Sequence, residues 1–527
     1  MHGLMMDYQL DVPAILRRAE QVFGDVEIVS RLPDKSFHRM TNADLASRAR
    51  RLGVALRGLG LEDGDRVATL MWNHHEHLEV YVGAPAAGFV THTLNLRLHP
   101  DDNAYITNHA GDRVLVVDKV LWPLAEQFVS RAPFEHVIAT GAGETPPGAL
   151  DYEELLGAAD ESAFVERDLD ERTAAGMCFT SGTTGRPKGV VYSHRAIAIH
   201  ALTMVGLTQM TSQDVVLPVV PMFHANAWCF PFQCPLAGAK QVFPGPHMDP
   251  VSLLDAFVAE RVTIAAGVPT IWLGILQALD ASPGAWDLSA MREMLVGGAA
   301  APRAMIEGFQ ERHGLHVTHG WGMTEMSPVG TVSGAAGQDQ APARRAQQGQ
   351  PIPFVEIRAR GADGLVPWDG ASMGELEVRG PSISSSYHDA PDAASRWTDD
   401  GWFKTGDIVT IGSDAYVTIQ DRAKDLIKSG GEWISSVGLE NELMGHPAVA
   451  EAAVIAMPDE RWSERPLAVV VLKEGQSVTP DELTAFLEPR VARFWLPDRY
   501  EFVDEIPKTA VGKFRKTALR ERFVEPG

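Results

Sequence analysis

The sequence predicts an α/β protein with a large N-terminal domain of helix-wrapped sheets and a small α+β C-terminal domain. Three observations carry this reading. The 527 residues exceed what one hydrophobic core usually supports, so at least two domains are expected. Strand-like and helix-like segments alternate through the first half, the pattern of parallel sheets covered by helices. After Asp421-Arg422 the texture changes to short strands and helices over a length suited to a small domain.

In chain order, Asn42 is a plausible N-cap for a helix over Ala43–Leu56, where apolar residues recur at helical spacing, and Gly58-Leu59-Gly60 stops it. Arg66–Met71, Arg113–Val117 and His136–Ala139 read as buried strands. Alternation continues through the strand Val215–Val220, the helix Ser252–Arg261 and the strand Met294–Val296, which precedes Gly297-Gly298. Residues Ser333–Gln350 contain almost no large apolar side chain and are expected to form a mobile surface excursion. In the last part, Val449–Ile455, Leu467–Leu472 and Phe502-Val503 suggest strands. Thr479-Pro480-Asp481-Glu482 forms a capping box at a helix start, and a basic helix ends the chain. The boundaries expected are 1–421 for the large domain, 422–427 for a hinge and 428–527 for the small domain.

Hydrophobic content of 45% and charged content of 22% are those of an ordinary globular protein. A net charge of -23 argues against a nucleic-acid partner, which would call for excess Lys and Arg. Cys178, Cys229 and Cys234 show no zinc spacing and read as small buried hydrophobes in a reducing compartment. No apolar run approaches a membrane span, and the first residues lack the pattern of a secretory signal, so a cytoplasmic location is expected.

The chemistry concentrates in Thr180–Lys188, Thr-Ser-Gly-Thr-Thr-Gly-Arg-Pro-Lys, after the apolar run Gly176–Phe179. Thr180, Ser181, Thr183 and Thr184 supply hydroxyls, Gly182 and Gly185 permit close backbone approach, and Lys188 supplies a cation. This is a phosphate-gripping composition. It is not a P-loop: counting from Gly182 puts Pro187 where the second Gly belongs and Gly189 where the hydroxyl belongs. Gly320–Glu325 sets Trp321 between glycines, able to lie against a purine, with Glu325 a candidate Mg²⁺ ligand. A tight turn with a buried Trp fits the same residues. In Thr405-Gly406-Asp407 the carboxylate can accept ribose hydroxyls, although such a tripeptide is also a common turn. His224 stands in an aromatic, apolar setting, where a packed core histidine is the alternative. Lys513 lies on a Gly-containing basic tail.

Taken in order, the Thr180–Lys188 loop, Gly320–Glu325, Thr405–Asp407, Asp421–Glu432 and Gly512-Lys513 resemble the acyl-adenylate-forming (AMP-binding) superfamily across essentially the whole chain. Phe223–Cys229, Lys428–Ser436 and Glu464–Ala468 look most like bacterial medium- and long-chain fatty acyl-CoA synthetases and methylmercaptopropionate-CoA ligases. The resemblance implies the adenylate-forming enzyme fold with a mobile C-terminal lid, and a homodimer. It implies an AMP-forming fatty acid–CoA ligase using ATP, Mg²⁺ and coenzyme A. A short sulfur-containing acid, or an acyl-AMP product for a carrier protein, are the alternatives.

On the same resemblance, Thr180–Lys188 holds the β- and γ-phosphates, with Thr184 and Glu325 at the Mg²⁺ and Thr324 at the α-phosphate. Trp321 stacks near the adenine, Gly298 and Ala299 line its pocket, and Asp407 and Arg422 bind the ribose. Lys513 bridges the attacking carboxylate and the α-phosphate, and His224 completes the catalytic set. Lys424 is the hinge, and Lys428, Gly430, Gly431 and Trp433 belong to a second, thioester-forming face. Phe223, Trp228, Phe230 and Phe232 supply an apolar wall, Trp228 gates an acyl tunnel, and Gly322 leaves room for a chain.

Overall fold

The computed structural model describes residues 1–180, 186–334, 341–430, 432–508 and 514–524. Among the described residues four sheets form.

The first sheet runs in the order Leu150–Asp151, His136–Thr140, Asp112–Asp118, Arg66–Leu70, Val90–Thr93, Ala174–Phe179 and Gly189–Ser193. Its neighbours are parallel except the last pair, which returns antiparallel with Phe179 opposite Gly189. Thr180 and Lys188 close the base of the intervening loop. Thr180 N–H donates to the Lys188 carbonyl at 2.9 Å, and Lys188 N–H donates to Thr180 Oγ1 at 3.1 Å.

The second sheet is parallel through Val317–Gly322, Glu293–Val296, Ile264–Gly267, Val215–Pro218, Lys240–Phe243 and Glu27–Arg31, with antiparallel strands at both ends. Parallel strands with both faces covered bury nearly continuous apolar runs, as Val216, Leu217, Ile264, Ala265 and Ala266 do here. The third sheet is antiparallel: Gly364–Leu365, Glu356–Gly361, Gly374–Arg379, Phe403–Ile411 and Val417–Arg422. The fourth takes Glu432–Ile434, Ile427–Ser429, Ser463–Leu472, Val449–Asp459 and Arg499–Phe502, around its own core of Ile427, Leu439, Val454, Val470 and Leu483.

Several expectations shift. The first long helix spans Asn42–Gly58, and its cap is Thr41, not Asn42. Thr41 and Asp44 make a reciprocal capping box, while Asn42 turns inward to donate to the Phe23 carbonyl at 3.1 Å. The helix expected at Ser252–Arg261 is Pro250–Ala259, started by Asp249. The box at Thr479 and Glu482 caps Pro480–Leu487 as read. Ser333–Gln350 is not simply a surface excursion. Ser333, Arg345 and Gln348 are buried, Ser333 Oγ donates to the Arg345 carbonyl at 2.8 Å, and Pro342–Arg345 is a short helix. Residues 335–340 lie outside the described residues. Cys178, Cys229 and Cys234 are free and buried, and burial pushes all three thiols up. Among the described residues no helix is long and apolar enough to cross a membrane.

Candidate active site

The register between strands Phe403–Ile411 and Val417–Arg422 sets Asp407 directly opposite Arg422. Asp407 is buried; its Oδ1 lies 2.7 Å from Arg422 Nε, and its Oδ2 accepts the Trp321 indole N–H at 3.0 Å. Three residues read from three separate motifs thus meet on one carboxylate. Gly406, just before it, has φ +77°, a conformation that favours glycine.

Glu325 sits across the same cavity, nearly buried. Its Oε1 accepts the Tyr387 hydroxyl at 2.5 Å. Burial and the Glu325 charge push the Tyr387 phenol up, so it stays a donor. The Lys188 ammonium lies 5.9 Å from the Tyr387 ring centroid, in cation–π range. The Thr324 carbonyl accepts the Tyr192 hydroxyl at 2.7 Å. One cavity of about 740 Å³ is lined by Thr180, Lys188, His224, Thr324, Glu325, Asp407 and Arg422. Gly298, Ala299, Trp321, Gly322 and Lys424 line it too.

The cavity lining also includes the apolar side chains of Met204, Leu207, Trp228, Phe230, Leu273 and Leu295. Trp228 is delivered there by an unusual backbone: Ala225, Asn226, Ala227, Trp228 and Cys229 all have positive φ, between 43° and 69°. Left-handed backbone costs about 1–2 kcal/mol at each non-glycine residue, so packing must over-determine this turn. Trp228 lies across Gly297, where a Cβ would come 3.0 Å from its ring.

Two wall residues are corrected. Phe223 is buried and does not line the cavity; its carbonyl accepts the Thr93 hydroxyl at 3.2 Å. Phe232 packs edge-on to Tyr81, 5.9 Å between centroids, in a separate core cluster. The left-handed turn separates Phe223 from Phe230, whereas Phe232 lies two residues beyond Phe230 on the same helix and turns to another side of it. Gly322 lines the cavity, but a Cβ there would meet the Pro328 carbonyl oxygen at 2.0 Å. A close backbone approach thus requires the glycine independently of any room it leaves for a chain.

The small domain contributes Glu440, Asn441, Met444, Phe514 and Lys516 to the same cavity. Lys516, with 11% of its side chain exposed, pairs with Glu440 at 2.6 Å. Arg520 pairs with Asp425 at 2.5 Å, and Ser436 N–H donates to Asp421 Oδ2 at 2.7 Å. Burial alone would lower the Lys516 pKa, but Glu440, Asp421 and Asp425 outweigh it and raise it. Burial pushes Asp421 and Glu440 up. Lys428, Gly430 and Trp433 do not line the cavity: the Lys428 ammonium lies 4.8 Å from the Trp433 ring centroid, and a Cβ on Gly430 would strike Trp462 at 2.6 Å.

Ser181, Gly182, Thr183, Thr184, Gly185, Gly431 and Lys513 lie outside the described residues. Tyr387, Arg396 and Lys516 line the cavity without having been singled out in the sequence. Arg396 donates to the Thr405 carbonyl at 3.2 Å. No spacing marks any of them; proximity alone does.

The pattern of the AMP-binding enzyme family matches residues 16–388, and that of the AMP-binding enzyme C-terminal domain matches 438–513. The chain is 48% identical to a long-chain-fatty-acid–CoA ligase of Thermus thermophilus, over 98% of this chain and 96% of that one. It is 42% identical to a 3-methylmercaptopropionyl-CoA ligase of Ruegeria lacuscaerulensis, over 99% of each. Its structure is similar to that of the anthranilate CoA ligase AuaEII in complex with anthranoyl-AMP, with TM-score 0.89, 26% identity and 98% of each chain covered. The motifs that converge on this cavity and the two matched domains agree: the chain belongs to the AMP-binding enzyme family, as an acid–thiol ligase.

Proposed function

We propose that this ligase activates a medium- or long-chain fatty acid with ATP through an acyl-AMP intermediate and transfers the acyl group to coenzyme A. The observation that carries the reading is a single cavity lined both by Lys188, Glu325, Asp407 and Arg422 and by apolar side chains that include Trp228 and Phe230. An acid seated there with its chain against these apolar side chains would place its carboxylate among the groups that would hold ATP. Relatives of this sequence bear fatty-acid and methylmercaptopropionyl substrates in their names.

In the first step a carboxylate oxygen bonds to the α-phosphorus, and the bond to pyrophosphate breaks. In the second, the coenzyme A sulfur bonds to the acyl carbon and AMP departs. Both steps build charge on oxygen, so positioned cations and donors are the main catalytic resource. Lys188 and the Thr180 loop would neutralise the phosphate tail. Asp407, its second oxygen held by Trp321, would accept from the ribose, with Arg422 fixing the carboxylate. Glu325 fits a Mg²⁺ ligand: it is buried, lines the cavity and has one oxygen engaged by Tyr387, while no described residue hydrogen-bonds to the other. When bound, Mg²⁺ would neutralise phosphate charge.

Phe514, next to Lys513, lines the cavity, whereas Lys428 and Trp433 do not. We assign this arrangement to adenylation, with rotation about the 422–427 hinge at Lys424 bringing the Lys428–Trp433 face in for thioester formation. AMP formation across saturated acids, with and without coenzyme A, tests the reading. A graded rise with chain length, about 0.8 kcal/mol per buried methylene, is expected. A sharp optimum at short acids would favour the methylmercaptopropionate-type reading, and indifference to coenzyme A would overturn the acyl-CoA product.

A further inference from the structure

Away from the cavity, helix His75–Ala86 begins with three ligand-bearing residues in a row. His74 is its N-cap residue, without a side-chain capping bond, and His75 and Glu76 open the first turn. They are 9%, 5% and 8% exposed. Each places one ligand atom within 4.8 Å of the other two. Glu76 Oε2 stands 2.7 Å from His74 Nδ1 and 3.2 Å from His75 Nδ1.

His74 Nε2 lies 2.8 Å from Asp118 Oδ1, and Asp118 is itself fixed by the Trp72 N–H at 2.8 Å. With only its Nε2 proton, directed to Asp118, His74 would bring an Nδ1 lone pair within 2.7 Å of a carboxylate oxygen. Neither Nδ1 atom, of His74 or of His75, makes an aligned hydrogen bond, although both are buried. Atoms that crowd one another without pointing at one another behave as ligands aimed at a shared third point. The spot calls for positive charge. A second proton on His74 would satisfy its pair with Glu76 but leave His75 Nδ1 without a partner.

We propose that His74, His75 and Glu76 bind a divalent transition metal of the zinc class, with water completing its coordination. Two imidazoles and a carboxylate are a zinc ligand set, and nitrogen ligands disfavour Mg²⁺ and Ca²⁺. Metal bonds of about 2.0–2.1 Å at tetrahedral angles put ligand atoms about 3.3 Å apart. The His75–Glu76 separation already matches, and side-chain rotation must open the His74–Glu76 pair by about 0.6 Å. The Asp118–His74 bond is the outer-shell support that metal-binding histidines commonly have.

The site would act as a clamp. Asn73, the preceding residue, donates to the Pro218 and Val220 carbonyls at 3.1 and 2.8 Å and accepts the Met222 N–H at 2.8 Å. That segment leads directly into the left-handed turn carrying Trp228. His75 N–H also donates to Ser30 Oγ at 2.9 Å, so an ion here would tie the helix start to both large sheets.

The test uses the full-length protein, stripped with a chelator, loaded with zinc, desalted and assayed for bound metal. The wild type is expected to retain one zinc per chain and to melt at a higher temperature with zinc than without. With Co²⁺ in place of zinc, it should show the visible absorption of a low-coordinate nitrogen and oxygen site. His75→Gln and Glu76→Gln should lose the retained metal while matching the circular dichroism of the chelated wild type. Asp118→Asn, which keeps all three ligands, should bind zinc about 10–100-fold more weakly, and this keeps the test decisive if a ligand variant misfolds. A wild type that retains no zinc, or equal retention in wild type and variants, would overturn the site and leave a doubly protonated His74 as the explanation.

Discussion

The Trp321 indole donates to Asp407 Oδ2 at 3.0 Å, tying the aromatic of one motif to the carboxylate of another that lies 86 residues along the chain. Arg422 occupies the other oxygen. Asp407→Ala leaves both partners in a partly buried site, so two effects are expected: a rise in the KM for ATP of about 10–100-fold, corresponding to about 1.5–3 kcal/mol for a hydrogen bond to a charged group, and a lower melting temperature. Steady-state AMP release and thermal unfolding check both. An unchanged KM would remove Asp407 from the nucleotide site.

Tyr387 holds Glu325 by its hydroxyl and offers its ring to Lys188. Tyr387→Phe keeps the ring and removes the donor. The expected outcome is a weaker requirement-curve for Mg²⁺, its half-saturation rising several-fold, with the fatty-acid KM unchanged. A shift confined to the fatty acid would contradict the positioning role.

Lys516 sits among Glu440, Asp421 and Asp425 at the domain junction, with Arg520 as the further cation paired to Asp425. Removing one partner of a buried ion pair costs about 3–5 kcal/mol, so Lys516→Met should loosen the junction. Adenylation should slow while thioester formation from supplied acyl-adenylate is largely retained. Adding Glu440→Gln should restore part of the loss. Failure of the double variant to recover would place the effect elsewhere.

Burial pushes the Glu79 carboxyl up to about 7, against the opposing charge of Arg48, which sits 2.7 Å away. Between its ordinary value and about 7 the folded protein holds a proton that the unfolded chain has released. Its stabilising contribution is therefore complete below the ordinary value and is lost as pH rises through about 7. Glu79→Gln removes that dependence. Melting temperatures from about pH 5 to pH 8 should fall less steeply in the variant; parallel curves would contradict the assignment.

The sequence reveals much of this site because its motifs are contiguous and chemically dense. Trp321, Glu325 and Asp407 could be named from their motifs and Arg422 from the family resemblance, and all four line one cavity. Tyr387 could not be named, since Ser384-Ser385-Ser386-Tyr387 carries no spacing that points to Glu325. The turn at Ala225–Cys229 was equally hidden: it contains no glycine, yet all five residues are left-handed. That turn separates Phe223 from Phe230, which lines the cavity, while Phe232, two residues on along the helix, faces Tyr81 instead. The Gly322 requirement is a backbone contact with Pro328, visible only when both segments are placed. Strand and helix positions followed from periodicity, whereas the cap at Thr41 depended on which of two adjacent polar residues turned inward.

The most direct test of the two-step account is acid-dependent exchange of labelled pyrophosphate into ATP, without coenzyme A, in wild type and Lys513→Ala. The account predicts exchange in the wild type with a fatty acid present. It predicts a loss of about 10²–10³-fold in Lys513→Ala, which should still convert supplied acyl-adenylate to the thioester. No exchange in the wild type until coenzyme A is added, or equal loss of both half-reactions in the variant, would contradict it.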